Sequence, residues 1–583
     1  MLADDYLTLN EALARLFPKG TLGKRSIKTC PKFPTSLFGA VGYLLEYSGA
    51  YHRVFPLGRN GSAFTKKHKK VIEDFANHGR EWHQLSNALR FEVTEENEKK
   101  FELVNKKVQA HWRKLLLHGN KPITGTGKGE LEWWFLASAL LVFADEACKH
   151  LGYKTKDADK NFMDMVYTGT IAADEDIETD TNHIEHKHLI AGGLNSYAPY
   201  LNGRLAKVLP KGRTPDVGCT FRAITHNLCL VRDNENLQVS WFSREGISQK
   251  SYDPINILLV PYPFKISAKS FEKVGNPRAK THMGDKSGWY DVKQNWLDDN
   301  DILEVLTSYL DKSEKMHGSV HSVVLPELSL DWASYQKIVE FILKNWNDGR
   351  DLDNAIQFLI SGVSSNHKGR KGNFAFVTTF HYDENTKKWS AKSFGRQKHH
   401  RWKLNRSQLT DYALSSVLDS DISWWENIDV NQRAISVHLI RDNITVCPLI
   451  CEDLARSDPC HSPIRSIGPN LIVALLMDGP QIGSRWPGRY ATNMADDPGS
   501  SVISLSSLGL IERTNRTRRY PSNRCVALWK DDRGTSISME LPEDSGAILL
   551  TLSATVATER TLDGRKNSDA ISLQYQCHVP IRS

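Results

Sequence analysis

The chain up to about residue 240 carries apolar side chains at the three- and four-residue spacing that places them on one face of a helix. The clearest run starts after Thr94, a predicted N-cap followed by Glu95 and Glu96, and stops at Gly119. Its apolar positions are Phe101, Val104, Val108, Trp112 and Leu115. Similar patterns predict further helices over residues 33–51, 66–85 and 130–150. This part of the chain is therefore predicted to be mainly helical.

The pattern changes near residue 253, where short apolar runs begin to alternate with helical patterns. Strands are predicted over residues 257–260, 320–325, 356–360, 374–380, 435–440, 444–450, 471–475, 502–505, 525–529 and 547–552, and helices over 301–315 and 335–346. Alternation of strands and helices followed by hairpins is typical of an α/β domain with a mixed sheet. We therefore divide the chain into a mainly helical domain of unknown role, residues 1–245, and an α/β domain, residues 250–583.

Composition narrows the class of protein only moderately. The chain has 583 residues, 40% of them hydrophobic, and a net charge of +7, which permits an anionic partner without requiring one. The most apolar window, Trp133–Val142, is too short to span a bilayer, and the start of the sequence does not resemble a signal peptide. The nine cysteines include no Cys-x-x-Cys pair. A cytoplasmic protein with reduced thiols and no membrane association is expected.

Two cysteines lie close together in the stretch VCPLICEDLAR, residues 446–456. Cys451 follows an apolar strand and precedes a polar turn, a position where α/β proteins place nucleophiles. Cys447 lies inside the strand and is expected to pack as a small apolar side chain. Pro448 cannot donate a ladder hydrogen bond, so we expect a bulge or a sheet edge there.

A nucleophilic thiol needs a base and a group that stabilises the developing oxyanion. Glu327 follows a predicted strand in VVLPELS, and Lys398 follows another in GRQKHH. The order Pro-Glu, Arg-x-Lys-x-His, Ile-Cys-Glu-Asp resembles the Glu-Lys-Cys triad of the nitrilase, or carbon–nitrogen hydrolase, superfamily. The resemblance covers residues 255–583 and leaves the helical region unassigned.

The resemblance implies an αββα sandwich and an amidase-type catalytic domain without a cofactor. Cys451 would be the nucleophile, Glu327 the base and Lys398 the oxyanion stabiliser. Related enzymes often use a second glutamate between the lysine and the cysteine, for which Glu426 is the candidate. Lys403, in RWKL, is a rival for the catalytic lysine. A neighbouring lysine is expected to lower the pKa of the Cys451 thiol, which should then be alkylated first.

The substrate and the partners are less constrained. A small amide or nitrile and a homo-oligomer are implied by the resemblance, but DGPQIGSRWPGRY, residues 478–490, departs from the family, so substrate contacts cannot be transferred. Two alternatives stay open: an N-acyltransferase of the same fold, and a non-catalytic binding or scaffold protein. Fusion to a helical region suggests regulated activity, for example in a bacterial antiviral defence system.

Three other features were considered as binding sites. The arginine-rich run Arg513–Arg519 is interpreted as a surface or interface loop, with a nucleic-acid or protein partner as the alternative. The acidic segment 174–185 has a threonine where a calcium loop needs glycine, so a solvated loop is expected. The histidines at 183, 186 and 188 lack a clear fourth ligand for zinc. No metal is therefore predicted.

Overall fold

The computed structural model describes residues 7–17, 27–55, 64–91, 93–124, 131–153, 189–190, 196–198, 200–232, 237–242, 253–278, 286–297, 302–366, 368–383 and 385–583. The acidic segment 174–185 and the histidines at 183, 186 and 188 lie outside the described residues. No helix in the described part of the chain combines the length and the apolar character that crossing a bilayer requires.

In the described residues of the N-terminal region there are six α-helices, α1 to α6. They span Leu9–Leu16, Pro34–Tyr47, Ala50–Val54, Lys66–Phe91, Glu95–Leu116 and Leu131–Ala147. The predicted cap at Thr94 is confirmed, because its side chain accepts a hydrogen bond from the Asn97 N–H. Helix α6 is buried on every side from Trp133 onward and packs against α2 and α4. An all-round apolar helix of this kind forms the centre of a helical bundle.

Four strands among the described N-terminal residues were not predicted from the sequence. Strands β1 to β4 span Leu189–Ile190, Lys207–Pro210, Leu228–Val231 and Gln238–Phe242. Strands β2 and β3 form an antiparallel pair. The division of the chain after residue 245 stays a prediction, but β1 and β4 each pair with a strand from the C-terminal region.

The C-terminal region is mixed α/β, as predicted. Helices α7 to α12 span Ile302–His317, Trp332–Phe341, Arg406–Asp411, Ser462–Ile467, Trp486–Asp496 and Leu508–Arg516. Strands β5 to β21 span Ile255–Leu259, Phe271–Arg278, Ser287–Val292, Ser322–Val324, Phe358–Ser365, Lys371–Asp383, Lys388–Gln397, Lys403–Leu404, Ser423–Glu426, Ala434–Arg441, Ile444–Ile450, Leu471–Leu476, Ser501–Ser506, Cys525–Lys530, Ser536–Glu540, Ser545–Arg560 and Lys566–Arg582.

Two large mixed sheets face each other. One has the strand order β1-β11-β10-β9-β8-β5-β20-β21, and the other has the order β19-β18-β17-β16-β15-β14-β4. Buried aliphatic side chains from both sheets form one apolar cluster between them. On the far side of the eight-stranded sheet, α7 and α8 contribute to a second cluster. A third cluster joins α1 to α6, α10 and α11 with side chains of β14, β15 and β16. The layers therefore run helix, sheet, sheet, helix.

Strand β15 carries Cys447 and Pro448 and leads to Cys451. It lies between β14 and β16, so the expectation of a sheet edge at Pro448 is wrong. Pairing with β16 continues through Pro448 to Ile450, whereas pairing with β14 extends only over residues 444–446. The missing N–H of Pro448 therefore falls where the ladder to β14 has already stopped.

Candidate active site

Four side chains predicted to be functional are placed by four strand ends. Glu327 follows β8, Lys398 follows β11, Glu426 ends β13, and Cys451 follows β15. These strands belong to three sheets: β8 and β11 to the eight-stranded sheet, β13 to a four-stranded sheet with the order β12-β13-β7-β6, and β15 to the seven-stranded sheet. Ligands of α/β proteins bind outside the carboxyl ends of the strands.

The ammonium group of Lys398 lies between two carboxylates. Its Nζ is 2.8 Å from Glu327 Oε1 and 2.8 Å from Glu426 Oε2. The Asn373 amide Nδ2 donates to the same two groups, at 2.8 Å to Glu327 Oε1 and 2.9 Å to Glu426 Oε1. Lys398 is 0% exposed, and both glutamates are buried. Burying three charges is costly unless each is paired and hydrogen-bonded, as these are.

Backbone N–H groups complete the cluster. Met477 N donates to Glu327 Oε2 at 2.8 Å, and Trp402 N donates to Glu426 Oε2 at 3.0 Å. Every carboxylate oxygen of the two glutamates therefore accepts at least one hydrogen bond. Such charge-assisted bonds hold both side chains in one orientation.

The buried charges shift the protonation of the cluster. Burial raises the pKa of Glu327 above its usual value. The charge of Lys398 lowers this pKa, and the charge of Glu426 raises it. Burial disfavours the Lys398 ammonium, but Glu327 and Glu426 outweigh it and raise its pKa well above the usual range. Lys398 is therefore charged at neutral pH, and Glu327 is a better proton acceptor than an exposed glutamate.

Cys451 is turned into the site by its backbone. Along β15, Cys447 and Leu449 belong to the apolar cluster shared with the N-terminal helices, as alternation requires. Ile450 belongs to the cluster between the two large sheets. Regular alternation would place the Cys451 side chain on the face that packs against the N-terminal helices. Its φ of 46° instead places it in the left-handed region, and its side chain belongs to the cluster between the two sheets. Strained conformations of this kind concentrate at functional sites.

The thiol of Cys451 is not pre-ionised. Burial raises its pKa well above the usual value, Glu327 acts in the same direction, and Lys398 opposes both. The expectation of a lowered pKa is therefore wrong, because burial and a carboxylate outweigh one lysine. Cys451 is only 4% exposed, whereas Cys219 and Cys577 are exposed, which also speaks against its preferential alkylation. Cys447 is fully buried in β15, where burial raises its pKa to about 12.

A cavity of about 300 Å³ opens beside Cys451. Its wall includes four aromatic side chains and several polar ones. The aromatic residues are Trp402, Tyr412, Trp486 and Tyr490. Asp478 and Glu452 contribute the acidic groups of the lining. A volume of this size is at the lower end of the range for small-molecule sites.

A second polar cluster supports the turn after Cys451. Arg396 Nη2 lies 2.8 Å from Asp453 Oδ2, and the Arg396 Nε donates to the Pro448 carbonyl at 3.0 Å. Burial opposes ionisation of Asp453, but Arg396 and His399 hold the pKa of its carboxyl below the usual value. This ion pair ties the strand end at Lys398 to the turn that carries Cys451.

Within the part of the chain that the structure describes, two groups of side chains are spaced closely enough to hold a metal ion. His399, Asp453 and Cys460 form the first, but the Arg396 guanidinium already neutralises Asp453, and Cys460 Sγ lies 3.3 Å from His399 Nδ1. Asp145, Glu146 and His226 form the second, where Arg565 occupies both carboxylates. A cation in either group would face an arginine, so ion pairs and hydrogen bonds explain both groups better.

Lys403 and the run Arg513–Arg519, the other candidates from the sequence, lie outside the cluster of Glu327, Lys398 and Glu426. Lys403 is exposed, with its Nζ 5.3 Å from the centre of the Trp425 ring. In the run Arg513–Arg519, Arg513 is buried and donates to the carbonyls of Tyr412 and Ala413, and Arg519 pairs with Asp411. A partner that binds this run stays a prediction.

Four contributors were missed in the sequence: Asn373, the N–H groups of Met477 and Trp402, and Asp478. Asn373 lies in GNFAF, inside a long strand, and no local pattern distinguishes it from a surface asparagine. The roles of Met477 and Trp402 depend on their backbone, which carries no sequence signal. Asp478 follows the apolar run of β16, and a polar side chain directly after a buried strand was the one available signal.

Comparisons with known proteins add one structural likeness. No family model and no curated protein matches the chain. Among solved structures, the chain is similar to Saccharomyces cerevisiae Nit3, a member of branch 10 of the nitrilase superfamily. The identity is 11%, the TM-score is 0.28, and the alignment covers 57% of this chain and 92% of Nit3. A TM-score of this size carries no conclusion about the chain, so the function is considered from the site alone.

Proposed function

We propose that the chain is a thiol-dependent carbon–nitrogen hydrolase that acts on a small amide or nitrile. The observation that carries the proposal is the buried Lys398 ammonium, held at 2.8 Å by each of two glutamates beside a thiol in a left-handed turn. A buried base, a fixed cation and a redirected thiol that are close enough for their charges to act on one another are the parts that acyl transfer to cysteine requires.

The first half-reaction forms a covalent intermediate. The Cys451 thiol transfers its proton to Glu327 as the sulfur attacks the amide carbon, because the raised pKa of the thiol makes spontaneous ionisation unfavourable. The carbonyl oxygen becomes an oxyanion, which the Lys398 ammonium stabilises. Protonated Glu327 then donates its proton to the leaving nitrogen, the C–N bond breaks, and a thioester to Cys451 remains.

The second half-reaction releases the acid. Glu327, again a carboxylate, takes a proton from a water molecule as the water oxygen attacks the thioester carbon. Lys398 stabilises the second oxyanion in the same position. The C–S bond breaks, and the proton returns from Glu327 to the sulfur. Glu426 does not exchange protons in this scheme; it holds the Lys398 ammonium, and the Trp402 N–H fixes its orientation.

Intact-mass spectrometry of the protein with a panel of small primary amides and nitriles tests the proposal. We expect an adduct on Cys451 with the mass of the acyl group, release of ammonia, and neither in Cys451→Ala. Cys447→Ala is the matched control and should retain both. The absence of any Cys451-dependent adduct or ammonia across the panel would refute a hydrolase and favour the non-catalytic alternative.

The same experiment separates hydrolysis from acyl transfer. Both routes share the thioester, so they differ only in what attacks it. Adding a primary amine should leave the acid as the main product if water is the natural acceptor. Conversion of the thioester mainly to the N-acyl product would instead identify an N-acyltransferase.

Assembly and regulation are two further parts of the proposal. We propose that the chain self-associates and that the N-terminal helices regulate the site. Support for regulation comes from the shared apolar cluster that contains α1 to α6 together with side chains of β14 to β16. Light scattering at micromolar concentration tests the first proposal: a fully active monomer would refute it.

A further inference from the structure

The four-stranded sheet that carries Glu426 has two faces of different character. Successive side chains of a strand point to opposite faces, and paired residues of neighbouring strands share a face. Trp424 and Glu426 of β13 and Tyr290 of β7 are all buried, and Glu426 pairs with Tyr290. These side chains form one face of the sheet, which contributes Glu426 to the cluster around Lys398. The residues that alternate with them form the opposite face.

Cross-strand pairing aligns four residues in a row on that opposite face. Trp289 of β7 pairs with Val274 of β6 and with Trp425 of β13. Trp425 pairs in turn with Lys403 of β12. Trp289 is 40% exposed and Val274 is 37% exposed, whereas Trp425 is half-buried and Lys403 is exposed. Two tryptophans therefore lie on neighbouring strands of a face that solvent reaches.

Each of the two tryptophan rings has a cation beside it. Arg401 Cζ lies 5.4 Å from the centre of the Trp289 ring, and Lys403 Nζ lies 5.3 Å from the centre of the Trp425 ring. Attraction by the negative face of a ring holds a cation in place without neutralising its charge. The ring and the charge of each pair are therefore both available to a ligand.

The face is positively charged on the side of β12. Its neighbouring row holds Glu272 and Asp291, which pair across β6 and β7. Lys293 Nζ lies 3.9 Å from Glu272 Oε2 and 3.8 Å from Asp291 Oδ2, so one cation offsets part of their charge. Arg401 and Lys403 have no ion-pair partner among the residues that the structure describes. A ligand that fits this side of the face must bring negative charge next to groups that stack on aromatic rings.

Three kinds of occupant differ in how they fit these groups. A neutral sugar can stack on the rings but leaves both cations without a counter-charge. A second copy of the chain would bring two further unpaired cations to the face. A single strand of nucleic acid supplies a planar base for each ring and a phosphate for each cation. Aromatic side chains that stack on bases, next to cations that contact the backbone, are the parts of sequence-tolerant single-strand sites.

We infer that the face formed by Val274, Trp289, Trp425, Arg401 and Lys403, called the tryptophan face below, binds single-stranded nucleic acid. Two bases stack on the two rings, and phosphates of the same strand contact the two cations. The inference goes beyond the proposed function and does not depend on it, because binding on this face requires no turnover at Cys451.

Fluorescence anisotropy of end-labelled oligonucleotides tests the inference on the full-length protein. The probes are single strands of about 12 nucleotides, within the range that such sites cover, as DNA and as RNA, and the same DNA as a duplex. We expect one of the single strands to bind at least about 10-fold more tightly than the duplex at equal salt, because paired bases cannot stack on the rings. Equal affinity for the duplex would overturn the inference, as would the absence of binding at about 100 μM protein, the weak limit of non-specific binding.

Variants of the tryptophan face show whether the strand lies there. Trp289→Leu and Trp425→Leu keep an apolar side chain but remove the ring, and each should weaken binding by roughly 10-fold. Trp289→Phe and Trp425→Phe restore a ring and should recover most of the affinity, which a purely structural role of either tryptophan does not predict. Lys403→Ala should weaken binding of every sequence alike and reduce the slope of log affinity against log salt by about one.

The matched control is the end of the arginine-rich run, where Arg518 is exposed and Tyr520 is 59% exposed. Arg518→Ala and Tyr520→Leu should leave the affinity unchanged. Loss of binding in these two variants, with full affinity in Trp289→Leu and Trp425→Leu, would place the strand on the run and overturn the inference. Circular dichroism checks the fold of each variant. If Trp425→Leu does not fold, Trp289→Leu and Lys403→Ala, which change exposed side chains, decide the question.

Discussion

Glu327 and Glu426 are bridged by the same two donors, Lys398 Nζ and Asn373 Nδ2, at 2.8–2.9 Å. Two carboxylates share one ammonium, so the cluster has one negative charge in excess. In a buried site, an excess negative charge favours uptake of a proton. The arrangement therefore suits Glu327 to receive the proton of Cys451, while Lys398 stays charged and able to stabilise an oxyanion.

Lys398→Ala should reduce kcat/KM at least about 100-fold, because it removes the proposed oxyanion stabiliser. It also leaves two buried carboxylates without their cation, so a loss of about 3–5 kcal/mol in the free energy of unfolding is expected. Acylation should therefore be measured on protein shown by circular dichroism to be folded. Lys403→Ala is the matched control, because Lys403 is exposed and contacts a tryptophan ring. An inactive Lys403→Ala with an active Lys398→Ala would transfer the role to Lys403.

Iodoacetamide at neutral pH should modify the exposed thiols of Cys219 and Cys577 before Cys451. The pKa of Cys451 is raised by burial and by Glu327, so little thiolate is present at rest. Peptide mass spectrometry over a time course checks the order. Substrate should nevertheless acylate Cys451 alone, since only there can Glu327 take the thiol proton. Alkylation of Cys451 ahead of both exposed thiols would show that its thiolate is stable at rest.

The pH profile should respond to Asn373. The proposed chemistry uses the Glu327 carboxylate, so activity should fall as the pH drops through the raised pKa of Glu327, above the value of about 4.3 typical of an exposed glutamate. The Asn373 hydrogen bond lowers that pKa. Asn373→Ala should therefore move the acidic limb of the profile to higher pH, and Asn373→Asp should move it further by adding a third negative charge. A limb that stays in place in both folded variants would exclude Glu327 as the titrating base.

Arg565 should be important for stability, since it joins the two regions of the chain. It donates to Asp145 at 2.8 Å and to Glu146 at 2.7 Å, both at the end of α6, and to Asp563 next to β21. Arg565→Ala removes charge-assisted hydrogen bonds from these buried carboxylates, although Glu146 keeps Arg80 at 3.2 Å and Asp145 keeps three backbone N–H donors. The variant should therefore cost about 1.5–3 kcal/mol in the free energy of unfolding. Urea denaturation measures the loss. The exposed Arg560→Ala should cost less than about 0.5 kcal/mol, and an equal effect of the two variants would contradict a tethering role.

Local pattern was enough to locate most elements that carry the proposed site. The predicted hairpin over 435–440 and 444–450 corresponds to β14 and β15, and the predicted helix after Thr94 corresponds to α5 with its cap in place. These elements follow from alternation and helical spacing, which are properties of neighbouring residues. The strand ends that precede Glu327, Lys398 and Cys451 could be predicted for the same reason.

What the sequence by itself determined is the set of strand ends and the chemical groups placed there; which of those groups meet was decided by tertiary structure. Asn373 and Met477 N contact Glu327 only because the sheet that contains β8 and β10 packs against the sheet that contains β16, and such packing leaves no local trace in the sequence. The tertiary structure also decided the protonation state of Cys451. A lysine nearby in space lowers a thiol pKa, but burial and the Glu327 carboxylate raise it more, and only the folded chain determines how water and charge are arranged around one sulfur atom.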